Sequence, residues 1–223
     1  MASPSTFRVD LDAIHANLAT ARDLAGGRAV LAAVKANAYG HGLVAVSRSI
    51  QERGSADWLG IAVTAEGEEL RAAGVTLPVL KFTPTFADDL PAAIAAGLTL
   101  SVGTEAAVDE VAAAARDAGA TVDVHLKLDT GMRRVGAEPS AAVALAERIA
   151  GSGSLRLGGV FTHLPISDVA DGDAFTRAQL ETFDASVAAI EAAVGPVEWV
   201  HAANSGAVLG HDLGRSTLVR PGI

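Results

Sequence analysis

The stretch AVLAAVKANAYGHG, residues 29–42, decides the fold. Residues 29–34 are an unbroken apolar run of the length of a strand buried on both faces, and the run gives way at Lys35 to a turn punctuated by Gly40 and Gly42. A lysine at the end of a buried strand stands on a rigid element and faces a pocket whose low polarity disfavours its charged form. Its amine, ordinarily with a pKa of ~10.4, then moves towards neutrality and becomes a nucleophile for carbonyl compounds and a proton acceptor. The octapeptide KANAYGHG by itself equally suits a lysine that snorkels from a strand end into water.

Outward from this stretch, strand-like and helix-like segments alternate with short turns. Strands are expected at 29–34, 58–62, 78–82, 98–102, 122–128, 155–162, 197–202 and 218–223. Ala-rich amphipathic stretches at 65–73, 105–118, 141–150 and 179–194 are long enough for crossover helices. Eight βα units predict an α/β fold, a TIM-type (β/α)8 barrel of parallel strands, with its active site at the C-terminal ends of the strands. The chemistry-bearing residues fall on that rim. Lys35 ends the first strand, Lys127 and Asp129 the fifth, His163 the sixth, and Asn204 with Ser205 the seventh, while Arg134 follows the fifth strand and Arg220 lies within the eighth.

Composition bounds the partners. With 223 residues, half of them hydrophobic, the chain is read as one domain over 1–223. The absence of cysteine removes disulfides, thiolate metal sites and thiol catalysis. A net charge of -9 without a basic cluster argues against nucleic acid and anionic membranes. The start MASPSTFRVD does not read as a secretory signal and no stretch is long and apolar enough to span a bilayer, so a cytoplasmic protein acting on a small molecule is expected.

Other features carry blander readings. His163 alone is a core histidine closing a strand, and Lys127 pairs with Asp129 or ends in solvent. Asp168, Asp171 and Asp173 lack the EF-hand spacing and read as a solvated loop. His41 has no second histidine at a metal-ligand spacing, and no metal is expected. Gly26 and Gly27 end the helix before the first strand and are no dinucleotide fingerprint.

Several strings in order, VDLDAIHANL (9–18), KANAYGHG (35–42), HLKLDTGMRRVG (125–136), FTH (161–163), HAANS (201–205) and VRPGI (219–223), resemble the alanine racemase family of fold-type III pyridoxal 5′-phosphate enzymes over nearly the whole length. The wording LPISDVADGDAF after His163 departs from the family and touches substrate choice. The resemblance implies a pyridoxal phosphate cofactor held by Lys35 as a Schiff base, with Lys35 also the base on the D-face of the substrate. It implies phosphate binding by Tyr39, Ser205 and the backbone around Gly222 and Ile223, with Asn204 alongside. Arg220 would face the pyridine nitrogen, and His163 would hydrogen-bond Arg220. Arg134, in preference to Arg133, would approach the phenolic oxygen and the substrate carboxylate. Lys127, which can carry a carbamate in such enzymes, and Asp129 would support Arg134.

In that family a second base, a tyrosine, comes from a C-terminal β-domain of the other subunit of a homodimer. Tyr39 is the sole tyrosine among these 223 residues. The chain is therefore read as the barrel part of a longer protein that breaks off in the eighth strand. The activity implied is interconversion of L- and D-alanine, supplying D-alanine for peptidoglycan, with little activity from this portion alone. Two alternatives are a single-domain pyridoxal phosphate homeostasis barrel without racemase activity and a relic barrel acting as an interaction module.

Overall fold

A computed structural model describes residues 6–222. Eight parallel strands, β1 (Ala29–Ala33), β2 (Trp58–Ile61), β3 (Val79–Lys81), β4 (Thr99–Val102), β5 (Val122–Lys127), β6 (Leu155–Phe161), β7 (Trp199–His201) and β8 (Leu218–Val219), run in the order β7-β6-β5-β4-β3-β2-β1-β8. No continuous ladder joins β7 to β8. The gap is closed by single contacts: Thr217 N–H donates to Val200 O at 2.8 Å, Arg220 N–H donates to Ala203 O at 2.8 Å, and Asn204 bridges Arg220. This is the (β/α)8 barrel expected from the alternation of segments.

The eighth strand is shorter than the expected 218–223, and Ile223 lies outside the described residues. Pro221 has no N–H to donate to β1, so the ladder breaks after Val219 and resumes only as a single bridge between Ala33 and Gly222, where Ala33 N–H donates to Pro221 O at 3.0 Å. Helices lie outside the sheet. The helix Glu105–Asp117 buries Val108, Val111, Ala112 and Ala115, the spacing of one helical face, and Thr104 Oγ caps it by accepting from Ala107 N–H at 3.1 Å.

The period of two along each strand divides the core. Val30 and Ala32, Leu59 and Ile61, Val124 and Leu126, Val160, Val200 and Val219 pack outward against the helices in the larger apolar cluster. Leu31, Trp58, Leu80 and Leu218 form a separate cluster inside the barrel. Along β1, β5, β6 and β8, the inward positions continue past these residues to Lys35, to Lys127, to Phe161 and His163, and to Arg220. The apolar floor therefore carries a charged rim above it. Gly60 leaves space in the interior, since a Cβ there would stand 2.3 Å from the ring of Phe82.

Candidate active site

Directly after β1 the backbone does something that apolar patterning does not predict. Ala36, Asn37, Ala38 and Tyr39 all have φ between 53° and 56°, a complete left-handed turn without a glycine. For L-residues this conformation costs roughly 1–2 kcal/mol each, so the surroundings must hold it. Asn37 Oδ1 accepts from Leu43 N–H at 2.7 Å, Ala38 N–H donates to Val34 O at 2.7 Å, and His41 Nδ1 meets Ala38 O at 2.7 Å. Glu66 is the outside brace: one carboxylate oxygen accepts from Asn37 N–H at 3.2 Å, the other from Ala62 N–H at 2.8 Å and Val63 N–H at 3.2 Å. Sequence reading missed Glu66, which lies in another βα unit. Strain of this kind, braced from several sides, clusters at functional sites.

The turn leaves Lys35 half-buried, facing a cavity of about 330 Å³ at the barrel mouth. Lys127, Arg134 and Arg220 line the same cavity, so a protein of net charge -9 gathers four cationic side chains there. Lys35 Nζ lies 5.8 Å from the Phe82 ring centroid and makes no hydrogen bond among the described residues. Burial, then Arg134 and Arg220, push its pKa down, and Glu66 opposes this. Burial and the same arginines bring Lys127 to about 8. His163, also on the wall, is held down to about 3 by burial and the surrounding cations, so it is a neutral imidazole at pH 7.

Arg220 is 5% exposed, and no carboxylate among the described residues pairs with it. Its NH1 donates to His201 Nδ1 at 3.0 Å and His201 O at 2.7 Å, and its NH2 donates to Thr162 O at 2.7 Å and Ala202 O at 3.0 Å. Burial pushes its pKa down to about 9, which leaves it cationic at neutral pH. The expected hydrogen bond from His163 to Arg220 is not formed. The imidazole on Arg220 is His201, because the inward parity of β7 points His201 under the guanidinium while His163 stands higher, on the cavity wall. His201, the first residue of HAANS, is visible in the sequence, but its pairing across the β7–β8 closure is not.

Asp129 does not reach into the cavity chemistry. Its carboxylate accepts from the N–H groups of Gly131 at 3.0 Å, Arg133 at 2.9 Å and Arg134 at 2.9 Å, folding DTGMRR into a turn that brings Arg134 to the cavity. Arg133, with φ 59°, points away and pairs with Glu138 at 2.9 Å. Lys127 does not pair with Asp129; its Nζ sits 5.3 Å from the Phe161 ring centroid.

Tyr39, Ser205 and Gly222 meet at one end of the cavity. Gly222 N–H donates to Ser205 Oγ at 2.9 Å, and a Cβ on Gly222 would stand 3.5 Å from the Tyr39 hydroxyl. This is a cradle that a side chain would fill. Asn204 lines the cavity too, but its amide is engaged by the scaffold: Oδ1 accepts from Ala207 N–H at 3.1 Å and Ser167 Oγ at 2.6 Å, and Nδ2 donates to Leu164 O at 2.8 Å. Asp168, read as part of a solvated loop, edges the cavity. No group of three or more His, Cys, Asp or Glu side chains among the described residues is placed to hold a metal. No helix of the described residues is long and apolar enough to cross a membrane.

Barrel and cavity define a class: a (β/α)8 protein whose strand-end lysine, cation cluster and hydroxyl-and-glycine cradle suit an anionic, carbonyl-bearing aromatic cofactor. The family is narrower still, for the sequence model described as "Alanine racemase, N-terminal domain" matches residues 9–223, and the chain belongs to the alanine racemase family, which uses pyridoxal 5′-phosphate. The chain is 48% identical over 221 residues to alanine racemase of Cutibacterium acnes, covering 99% of this chain and 59% of that protein. It is 42% identical over 226 aligned positions to alanine racemase of Thermobifida fusca, covering all of this chain and 60% of the relative. Among solved structures, alanine racemase from D-cycloserine-producing Streptomyces lavendulae superposes with a TM-score of 0.88 at 37% identity, over 96% of this chain and 56% of that one. The Bacillus anthracis alanine racemase with bound L-Ala-P gives 0.87 at 30% identity, over 98% and 58%. The chain thus spans 56–60% of the length of these four relatives.

Proposed function

We propose that residues 1–223 form the cofactor-binding barrel domain of an enzyme that interconverts L- and D-alanine in the cytoplasm and so supplies D-alanine for cell-wall synthesis, working as a homodimer. The observation that carries this reading is the convergence on one cavity of a half-buried lysine without a hydrogen bond and a buried arginine without a carboxylate, both among the described residues, and the cradle at Tyr39, Ser205 and Gly222. The residues fit pyridoxal phosphate. Ser205 Oγ accepts from Gly222 N–H, so its own proton is available, beside the Tyr39 hydroxyl, for a phosphate oxygen.

When bound, pyridoxal phosphate supplies an electron-withdrawing ring that acidifies the α-hydrogen of an amino acid joined to it. Lys35 would hold the cofactor, and its amine would accept or return a proton on one face of the α-carbon; burial and the neighbouring arginines lower its pKa and so ease loss of its proton. Arg220, a fixed cation on the cavity lining, would disfavour a proton on the cofactor's ring nitrogen, which would limit side reactions such as transamination at some loss of carbanion stabilisation. Arg134 binds the substrate carboxylate, with Asp129 holding its loop. His163, neutral, adds no further charge to the wall. The proton on the opposite face is handled by a tyrosine of the partner subunit's C-terminal β-domain, as in the family this chain belongs to.

Incubation of the protein with pyridoxal phosphate, borohydride reduction and peptide mass spectrometry test this reading. The added mass is expected at Lys35 alone. Label scattered over surface lysines, or none, would overturn it.

A further inference from the structure

Beneath the cavity the hydrogen bonds of Arg220 continue into a chain that the proposed reaction does not use. His201 Nε2 lies 2.9 Å from His125 Nδ1, and both rings are fully buried. A guanidinium has no acceptor, so His201 Nδ1, 3.0 Å from Arg220 NH1, must be bare and accept. A neutral His201 then carries its proton on Nε2 and donates to His125 Nδ1, which leaves the proton of His125 on Nε2 as well. That nitrogen is buried without a partner among the described residues. The chain of donors runs one way, from the guanidinium down to the barrel floor.

The interior is shaped around these two rings. A Cβ on Gly159 would stand 2.8 Å from the His125 ring, and the pairing of β5 with β6 shifts register between Val124 and His125. Phe161 stacks on His201 with ring centroids 4.8 Å apart and planes 1° apart, and Trp58 tilts against His125 at 5.6 Å. Phe161, Gly159 and Trp58 therefore fix both imidazole planes. With NH1 and NH2 engaged by His201, Thr162 and Ala202, the Nε–H of Arg220 is the donor left for a ligand in the cavity.

We propose that His201 and His125 are positioning residues for Arg220: a two-imidazole relay, locked by the guanidinium with both protons on Nε2, that keeps the ring acceptor turned to Arg220 and its Nε–H edge turned to the cavity. A flip of His201 to the other tautomer sets N–H against N–H and turns the guanidinium away. Only the consequence for cofactor rests on the function proposed above; the tautomers do not.

The test uses the full-length protein with ¹⁵N-labelled histidine and no added cofactor at pH 7.5, read by two-bond ¹⁵N–¹H correlation. The two buried rings are assigned from the His125→Gln and His201→Asn variants. Both are expected to show a protonated Nε2 and a bare Nδ1; an Nδ1–H tautomer or an imidazolium in either ring overturns the proposal. A second arm measures pyridoxal phosphate binding by absorbance. His201→Asn, whose Oδ1 takes the place of Nδ1, is expected within about threefold of the parent, and His201→Leu, which removes the acceptor, weaker by about tenfold or more. Equal binding by the two variants overturns the positioning role. Should His201→Leu not fold, the tautomers and the Asn variant decide, a loss of about tenfold or more in the latter counting against the relay. Failure of the parent to bind pyridoxal phosphate, with both tautomers as expected, would refute the proposed function and leave the lock standing.

Discussion

Two lysines close barrel strands on the same rim and have opposite fates. Lys81 ends β3 on the outward parity it shares with Val79, is 2% exposed, and gives its ammonium protons to Thr83 O at 3.3 Å, Thr83 Oγ at 3.0 Å and Pro84 O at 2.7 Å. Lys35 continues the inward parity of Leu31 and Ala33 past β1, is only half-buried, and has no hydrogen bond among the described residues. Burial lowers the pKa of both. What separates them is satisfaction, because a lysine whose donors are engaged is a clamp for a loop, whereas one held without partners among the described residues and beside other cations gives up its proton more readily within reach of a ligand.

Lys35→Ala is expected to abolish covalent trapping of pyridoxal phosphate by borohydride, with urea unfolding little changed. Lys81→Met should retain that trapping and lower stability by about 2 kcal/mol, since the carbonyls of Thr83 and Pro84 lose a charged donor. A Lys81 variant that lost trapping while remaining folded would erase the distinction.

Lys127 is a third lysine at a strand end of this rim. It is on the inward parity, 7% exposed and without a hydrogen bond among the described residues, and its pKa stands at about 8. Because the folded-state pKa lies below the ordinary lysine value, the protonated form destabilises the fold below pH 8, and this penalty fades as pH rises towards the unfolded value. Lys127→Met is therefore expected to raise stability at pH 7 by roughly 1–2 kcal/mol, after allowance for water in the cavity, and to raise it less at pH 10. Denaturant curves at the two pH values check this.

The smallest effect concerns Arg134, the second cause of the depressed pKa of Lys35. Arg134→Ala should move the pH profile of trapping at Lys35 to higher pH, because a like charge near the ammonium is removed. A shift to lower pH would mean that Arg134 acts on Lys35 through something other than its charge.

Much of this was legible in the chain. Seven of the eight strands were expected within about two residues of where they lie, since buried parallel strands leave continuous apolar runs such as AVLAAV. Lys35, Arg134 and Tyr39 were named from their motifs and line the cavity. The left-handed turn after Lys35 was not legible, because Ala36 and Ala38 carry no preference for positive φ and the brace comes from Glu66 in the next βα unit. Nor was the partner of Arg220, because a hydrogen bond from β8 to β7 depends on closure of the barrel.

The alternation of strands and helices and the family could be read from the chain, for these follow from local pattern and from runs of neighbouring residues. Tertiary structure alone decided which polar groups are satisfied. It set which side chains face inward, engaged Asn204 in a helix cap, set His201 and not His163 on Arg220, quieted Lys81 and left Lys35 without a partner among the described residues. Hydrogen bonds over tens of residues are fixed by strand register and barrel closure, and a single chain read in order does not contain those distances.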